Sequence, residues 1–305
     1  MSLRGKLRDR GAPVLTVSEL LSYEDYIRHA DKHRETHLAN WSFEKSLIPS
    51  TGVDFTVPGF CYVCRASVDF LVDFAYSYEQ DGILMPNWRE RLVCPGCRLN
   101  NRMRAVIHIF EQRYHPHENS DIYITEQTTA LYNWFKKSFL HVRGSEYLGD
   151  SVGQGSCNDK GMRNEDLTQL SFDNDEFDYI LSFDVFEHIP NYKEALSECC
   201  RCLKPGGILY FSAPFVKTAE KNIVRASLSN TGEVTHVLPP EYHGNPLSSD
   251  GCLSFYQFGW EILDELQALG FTNAKALLYW SREFGYLGGE QLIFVATKIH
   301  RHEKT

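Results

Sequence analysis

The sequence predicts an α/β protein whose central sheet is mostly parallel. Two short apolar runs, residues 179–183 and 208–211, are suited to strands that are buried on both faces. Between these runs, apolar residues recur at the spacing of one helix face, namely Ala195, Leu196, Cys199, Cys200 and Leu203. The Lys-Pro-Gly-Gly run at 204–207 ends that helix. A strand, a helix and a strand with short links form a right-handed crossover in a parallel sheet.

Polar residues follow the first of these strands directly. Asp184, Glu187 and His188 come after residue 183, where the strand gives way to a loop. Ligands of open parallel sheets bind beyond the carboxyl ends of the strands. We therefore expect a functional site at this position.

The same stretch carries a family resemblance. Residues 177–190 read FDYILSFDVFEHIP, and residues 195–214 read ALSECCRCLKPGGILYFSAP. Both segments resemble the fourth and fifth strand region of class I methyltransferases that use S-adenosylmethionine (SAM). The resemblance extends over about residues 120–298 and implies a Rossmann-like sheet whose last strand is antiparallel, with SAM as the methyl donor.

Composition narrows the class of protein. The chain has 305 residues, of which 43% are hydrophobic and 23% charged, as in an ordinary soluble protein. The net charge of −9 argues against a general nucleic-acid-binding protein. No apolar run approaches a membrane span, and the basic start MSLRGKLRDRG lacks the apolar core of a secretory signal. These features predict a cytoplasmic location, and the nine cysteines then predict reduced thiols or a metal site.

Two Cys-x-x-Cys pairs predict a structural zinc site. The pairs are Cys61 with Cys64 and Cys94 with Cys97. Together they offer four thiolates, the number that a tetrahedral zinc ion requires, and four sulfurs leave no open position for catalysis. A redox-active disulfide is the alternative, although it would not need two pairs. Unmetallated buried cysteines fit this spacing poorly.

Five arginines are concentrated around the cysteine pairs, namely Arg89, Arg91, Arg98, Arg102 and Arg104. Surface solvation or pairing with carboxylates is the plainer interpretation. The alternative is a clamp for a phosphorylated or otherwise anionic substrate.

The remaining elements follow in chain order. We expect an N-terminal helical segment over 1–60, a zinc module with its linking helix over 61–118, and the methyltransferase domain over 119–305. Within that domain we predict strands at 121–125, 142–148, 274–280 and 291–298, and helices at 130–140 and 257–270. A lid-like insertion at 216–258, rich in Pro and Gly, is expected to lack regular structure.

The first strand-to-helix turn departs from the family pattern. The family has a glycine-rich loop here, whereas this chain has Thr125, Gln127 and Thr129 at the corresponding positions. The resemblance implies that Glu126 faces the ammonium group of SAM and that Thr128 binds its carboxylate. The other interpretation is that SAM binding has been lost.

The resemblance also implies the remaining cofactor residues. Glu146 would accept both ribose hydroxyls, with Asp150 as the fallback acceptor. Asp166 would accept the adenine amine, and the backbone N–H of Leu167 would meet the ring. Asp184 would contact the methionine end of SAM or the substrate, or else cap its own turn.

Three residues are candidates for catalysis, namely His243, Asp184 and His188. His243, with Glu241 close by in sequence, could serve as a general base, and His236 is the alternative base. His188 lies in a string that is common in the family and often structural. Cys199, Cys200 and Cys202 resemble a metal cluster, but we expect them to be buried in a helix face as small apolar residues.

The sequence thus predicts a SAM-dependent methyltransferase with an N-terminal structural zinc module. The predicted acceptor is a carbohydrate or another small molecule, with an anionic group as one option. An RNA methyltransferase is one alternative. A degenerate methyltransferase fold that binds ligands without catalysis is the other.

Overall fold

A computed structural model describes residues 14–50, 53–229, 231–245 and 247–299 of the chain. The basic N-terminal segment and the last five residues, RHEKT, lie outside the described residues. Seven α-helices are described: α1 (Tyr23–Lys32), α2 (Arg34–Ser46), α3 (Trp88–Arg91), α4 (Asn101–Tyr114), α5 (Ala130–Ser138), α6 (Tyr192–Cys202) and α7 (Glu261–Ala268).

The strands fall into a large sheet and several short antiparallel pairs. The large sheet uses β1 (Val17–Leu20), β6 (Asp121–Ile124), β7 (His141–Gly144), β8 (Phe177–Phe183), β9 (Leu203–Ser212), β16 (Phe271–Ser281) and β17 (Tyr286–Lys298). The short strands are β2 (Phe55–Cys61), β3 (Ala66–Val72), β4 (Tyr78–Gln80), β5 (Ile83–Met85), β10 (Ile223–Val224), β11 (Ala226–Leu228), β12 (Val234–His236), β13 (Tyr242–Asn245), β14 (Ser248–Leu253) and β15 (Tyr256–Gln257).

The chain divides into two compact units. The described parts of unit 1 are residues 14–18, 37–50, 53–113 and 279–291. Unit 2 contains residues 19–36, 114–278 and 292–299, apart from positions 230 and 246. The domain boundaries expected from the sequence, at residues 60 and 118, stay a prediction.

The large sheet confirms the predicted fold class. Its strand order is β1-β16-β17-β9-β8-β6-β7. The inner strands β9, β8, β6 and β7 are parallel, and β17 runs antiparallel to β9. The Lys-Pro-Gly-Gly run follows the end of α6, as expected, but it lies in β9 as a bulge, since Phe177 pairs with Leu203 and Tyr179 with Ile208.

A regular third strand is absent from the described residues beyond β7. The segment that resembles the family's third-strand exit makes only an isolated parallel bridge, between Glu146 and Asn164. Hydrogen bonds from polar side chains stabilise this segment in place of backbone pairing with a neighbouring strand. The buried Glu165 carboxylate accepts hydrogen bonds from Arg163 (2.6 Å), Gln154 (2.8 Å) and the Ser171 hydroxyl (2.6 Å).

Aromatic and aliphatic side chains fill the core of unit 2 around α6. Cys199, Cys200 and Cys202 are all buried in it, as predicted. Burial raises the pKa of Cys199 well above its ordinary value, which keeps that thiol neutral.

The described residues of the insertion at 216–258 have regular structure, so the expectation that it lacks regular structure was wrong, while its role as a lid stays a prediction. It contains the antiparallel pairs β10–β15, β11–β12 and β13–β14. Local antiparallel pairing satisfies backbone N–H and C=O groups that an irregular loop would leave to water. His243 lies on β13, and its position is determined by backbone pairing with Cys252 of β14.

Candidate functional site

The strand end at Asp184 has a constrained backbone. Asp184 has a φ of 56°, which is uncommon for a residue other than glycine. Its N–H donates to the Ser212 carbonyl (2.8 Å), and its carboxylate accepts from the Ser212 hydroxyl (2.9 Å). These bonds join the carboxyl ends of β8 and β9, so the polar residues after Asp184 start from a fixed point.

The turn after β6 is built without glycine. Glu146 Oε1 accepts hydrogen bonds from the Gln127 N–H (2.8 Å), the Thr128 N–H (3.0 Å) and the Thr128 hydroxyl (2.8 Å). Thr129 caps α5 by accepting from the Tyr132 N–H. A carboxylate thus takes the backbone donors of the turn.

A close approach of backbone groups also marks this turn. Gly144 ends β7, and a Cβ at that position would lie 2.7 Å from the Glu126 carbonyl oxygen and 2.4 Å from the Tyr132 ring. Only glycine fits there without displacing the turn. Glu126 is half-buried and Thr128, which bonds to Glu146, is exposed.

The predicted adenine residues lie next to each other beyond β7. Asp166 is half-buried, and its Oδ1 accepts from the N–H (2.8 Å) and hydroxyl (2.7 Å) of Thr168. The Leu167 side chain is buried. Asp150 is exposed. The roles of these residues toward SAM stay predictions.

The structure brings the candidate catalytic histidines together. The rings of His188 and His243 lie 5.0 Å apart, edge to face. Glu187 Oε1 lies 3.5 Å from His188 Nε2 and 3.4 Å from His243 Nδ1. His243 Nε2 is also 3.2 Å from Glu241 Oε1. His236, the alternative base, is exposed and lies outside this group.

Burial and charge act in opposite directions in this group. Glu187 is fully buried, and burial raises the pKa of its carboxyl. The contact with Glu187, followed by that with Glu241, raises the pKa of His243. The group therefore combines a desolvated carboxylate with an imidazole that favours a positive charge.

The four predicted zinc cysteines converge in unit 1. Their sulfur atoms all lie within 4.8 Å of one another, with Cys61 to Cys97 at 3.8 Å and Cys64 to Cys94 at 3.7 Å. A regular tetrahedron with zinc–sulfur bonds of about 2.3 Å has edges of about 3.8 Å. The donor set and its spacing therefore fit zinc. The hydrogen bond from Cys97 lowers the pKa of Cys61, whereas burial raises the pKa of Cys64 and the contact with Cys61 raises the pKa of Cys97.

Arg104 is the buried cation of unit 1. Its side chain is 0% exposed and lies over the Phe70 ring at 3.8 Å. It donates to three backbone carbonyls, those of Phe284 (2.7 Å), Leu92 (3.3 Å) and Gly285 (3.3 Å). Its charge helps to lower the pKa of Cys61. A buried guanidinium with neutral hydrogen-bond partners fits beside a group of thiolates.

The other arginines near the cysteines are mostly paired with carboxylates. Arg89 and Arg102 contact Glu90, and Arg91 contacts Asp73. Arg98 is exposed. The contacts of Arg89, Arg91 and Arg102 agree with the expectation of pairing with carboxylates. The burial of Arg104 fits neither surface solvation nor a substrate clamp.

A cavity of about 430 Å³ lies away from these residues. It opens at the amino ends of β6, β8 and β9, opposite the strand edge where Asp184 lies. Its cation, Lys204, already pairs with Asp121 (2.8 Å) and Asp178 (2.9 Å). We therefore assign no cofactor role to it.

Comparison with known proteins finds similarity to methyltransferases in part of the chain. Residues 128–211 match the family described as "Methyltransferase domain". This match covers little more than a quarter of the chain and agrees with the resemblance to SAM-dependent methyltransferases. Over 91 residues it is 28% identical to a ubiquinone biosynthesis O-methyltransferase of Rhizobium rhizogenes, which is 27% of this chain and 37% of that relative. The match thus spans little more than a third of the relative's length.

Solved methyltransferases are more distant. A SAM-dependent methyltransferase of Mesorhizobium loti is 14% identical, with a TM-score of 0.38, over 63% of this chain and 98% of that one. A 1,6-didemethyltoxoflavin-N1-methyltransferase of Burkholderia thailandensis is 16% identical, with a TM-score of 0.39, over 65% and 78%. At this distance the likenesses do not assign a function.

Two features of the structure were not predicted from the sequence. Glu187 was placed at the site but given no role, although it is the residue that both histidines face. Arg104 was grouped with surface arginines, although it is buried. Within the described residues, no helix is long and apolar enough to cross a bilayer.

Proposed function

We propose that the protein transfers a methyl group from SAM to a hydroxyl of a small-molecule or carbohydrate acceptor. The observation that carries this proposal is that Glu187 and His188 follow the carboxyl end of β8 and that His243, on β13, contacts both of them. Ligands of such sheets bind at this edge. The name of the curated relative, an O-methyltransferase, favours a hydroxyl acceptor.

The residues around β6 and β7 suit SAM. The three turn bonds all use Oε1 of Glu146, so Oε2 is left to accept ribose hydroxyls. Glu126 and Thr128 would hold the amino-acid end, Asp166 and Leu167 the adenine, and Asp184 the methionine end. SAM, when bound, supplies a methyl group on a positively charged sulfur.

Catalysis would consist largely of positioning, because the acceptor oxygen must approach the methyl group in line with the departing sulfur. His243 is the candidate to take the hydroxyl proton, since Glu187 and Glu241 stabilise its protonated form. His188 would orient the acceptor or His243.

We also propose that Cys61, Cys64, Cys94 and Cys97 bind one structural zinc ion. The tetrahedral sulfur spacing supports this assignment, and four thiolates leave no open position. A structural role and the predicted cytoplasmic location are compatible, because reduced thiols persist in that compartment.

The test combines SAM binding with transfer. Calorimetric titration of SAM into zinc-loaded protein should give micromolar binding, and tritiated SAM should label a member of a panel of hydroxylated small molecules and sugars. Folded protein without SAM binding would overturn the proposal and favour the degenerate binding module. Salt-sensitive binding and labelling of RNA would instead support the RNA alternative, which the net charge of −9 disfavours.

A further inference from the structure

Glu187 is a buried carboxylate without a hydrogen-bond donor. Its side chain is 0% exposed, and neither Oε1 nor Oε2 has a hydrogen-bond partner. The nearest nitrogens, His188 Nε2 and His243 Nδ1, lie 3.5 and 3.4 Å from Oε1. Those distances exceed the usual 2.7–3.2 Å of an N–H···O bond. A carboxyl group buried in this way either is neutralised by a proton or has a cation beside it to offset its desolvation.

The two histidines are oriented as metal ligands are. His188 Nδ1 lies 2.8 Å from the Leu253 carbonyl oxygen, which can only accept, so Nδ1 carries the hydrogen. Its Nε2 therefore presents a lone pair toward Glu187. Metal-binding histidines usually donate their second ring N–H to a carbonyl or a carboxylate in this manner.

His243 repeats the arrangement with a carboxylate. Its Nε2 donates to Glu241 Oε1 at 3.2 Å, and its Nδ1 faces Glu187. Glu241 Oε2 is held in turn by Arg225 Nε and Gln257 Nε2, both at 3.1 Å. A carboxylate–histidine pair of this kind fixes the ring and raises the basicity of the other nitrogen.

We propose that Glu187, His188 and His243 bind a divalent transition-metal ion, separate from the four-cysteine site. The three ligand atoms lie within 4.8 Å of one another. Metal–ligand bonds of about 2.0–2.1 Å at tetrahedral angles separate ligand atoms by about 3.3 Å, close to the 3.4 and 3.5 Å from Glu187 Oε1 to the two nitrogens. Two imidazoles and one carboxylate suit Zn²⁺ and similar borderline ions.

Three protein ligands leave an open coordination position. If the proposed function holds, the acceptor hydroxyl occupies that position and the metal lowers its pKa, so its proton leaves to water. The oxygen–methyl bond then forms as the sulfur–methyl bond breaks, and the electron pair of the broken bond stays on sulfur. This role replaces His243 as a base, since the metal occupies its Nδ1 lone pair.

The competing arrangement needs no metal. A protonated His243 between Glu187 and Glu241 would also supply a positive charge, and Asp184, His188 and Arg225 are the other charged or titratable groups that act on these residues. The two arrangements differ in one measurable quantity, which is the amount of metal bound by the folded protein.

Metal content of protein equilibrated with buffered zinc provides the test, and neither SAM nor an acceptor is needed. We expect wild-type protein to hold one equivalent at the cysteines and a second one here. His243→Asn and Glu187→Gln should each lose the second equivalent only. His236→Asn, an exposed histidine of the same insertion, is the matched control and should keep both.

Cobalt spectroscopy of the wild-type protein avoids any dependence on variant folding. With zinc already at the cysteines, added Co²⁺ should produce d–d absorption without the sulfur-to-metal charge-transfer bands of thiolate ligation. A single zinc equivalent in wild-type protein, absent d–d bands, or a second equivalent that persists in both folded variants would overturn the proposal. Failure of methyl transfer would not bear on it.

Discussion

Glu146 accepts both the backbone N–H and the hydroxyl of Thr128, at 3.0 and 2.8 Å. The carboxylate at the end of β7 therefore supports the turn after β6. In a chain without the family's glycines, one side chain would shape the turn and also bind the cofactor.

This arrangement makes Glu146→Ala the most informative variant for SAM binding. The change removes the proposed ribose acceptor and the support of the turn. Because a hydrogen bond to a charged group contributes about 1.5–3 kcal/mol, we expect calorimetry to show at least about tenfold weaker binding of SAM. Asp150→Asn, at the exposed fallback acid, is the control and should bind as wild type does. If Asp150→Asn weakened SAM binding and Glu146→Ala did not, Asp150 would be the ribose acceptor.

Removal of zinc should destabilise unit 1. A strong chelator is expected to lower the midpoint of thermal unfolding, because zinc binding contributes folding free energy at such sites. Cys61→Ser should produce the same loss without chelator. Cys157→Ser, at an exposed cysteine outside the cluster, should change neither zinc content nor unfolding midpoint. A chelator-treated protein with an unchanged unfolding curve would contradict the structural role.

Arg104→Met should be costly to stability. The change leaves three buried carbonyls without their donor and removes the contact with Phe70. We expect urea unfolding to show a loss of about 3 kcal/mol or more, together with faster zinc loss to a chelator. Arg113→Met, at the half-buried arginine later in α4, should cost less than about 1 kcal/mol. Equal effects of the two changes would contradict a special role for Arg104.

His108 should make stability depend on pH. Burial lowers its pKa from 6.5 to about 3, so the folded protein holds it neutral. The unfolded state then binds more protons between those two values, and stability falls as the pH drops below 6.5. The maximum slope from this group is about 1.4 kcal/mol per pH unit. Urea unfolding at several pH values should show this loss in wild-type protein.

The matched variant for that measurement is His108→Phe, which keeps an aromatic ring against Tyr62, whose ring stacks on His108 at 3.7 Å. Other groups titrate equally in both proteins, so their difference isolates His108. A difference that stays constant from about pH 7 to about pH 5 would show that His108 keeps an ordinary pKa.

The sequence predicted the elements whose signals are local. The run from β8 through α6 to β9 follows hydrophobic periodicity, and so does the burial of Cys199, Cys200 and Cys202. The two Cys-x-x-Cys pairs predicted the convergence of four sulfurs, since the spacing itself determines the geometry.

Features that depend on distant residues were not predicted. Arg104 is buried because carbonyls of residues 284 and 285 accept its hydrogen bonds, and no pattern near residue 104 reports them. The hairpins of the insertion depend on pairings across Pro- and Gly-rich sequence, whose composition indicates turns but not register. Glu187 is left without a donor by the packing around it, which its own sequence context does not reveal.

Unit 1 combines early and late parts of the chain, which has a consequence for biosynthesis. Glu44, Asn101 and Arg104, all within the first 104 residues of the chain, are buried and bond to groups within residues 280–289. On the ribosome, the cysteine-bearing segment emerges long before those late residues are made. At 5–20 residues per second the delay is on the order of ten seconds. During that interval Arg104 has no carbonyls at 284 and 285 to bind, so a nascent chain that stalls before residue 280 leaves this unit incomplete and open to proteolysis.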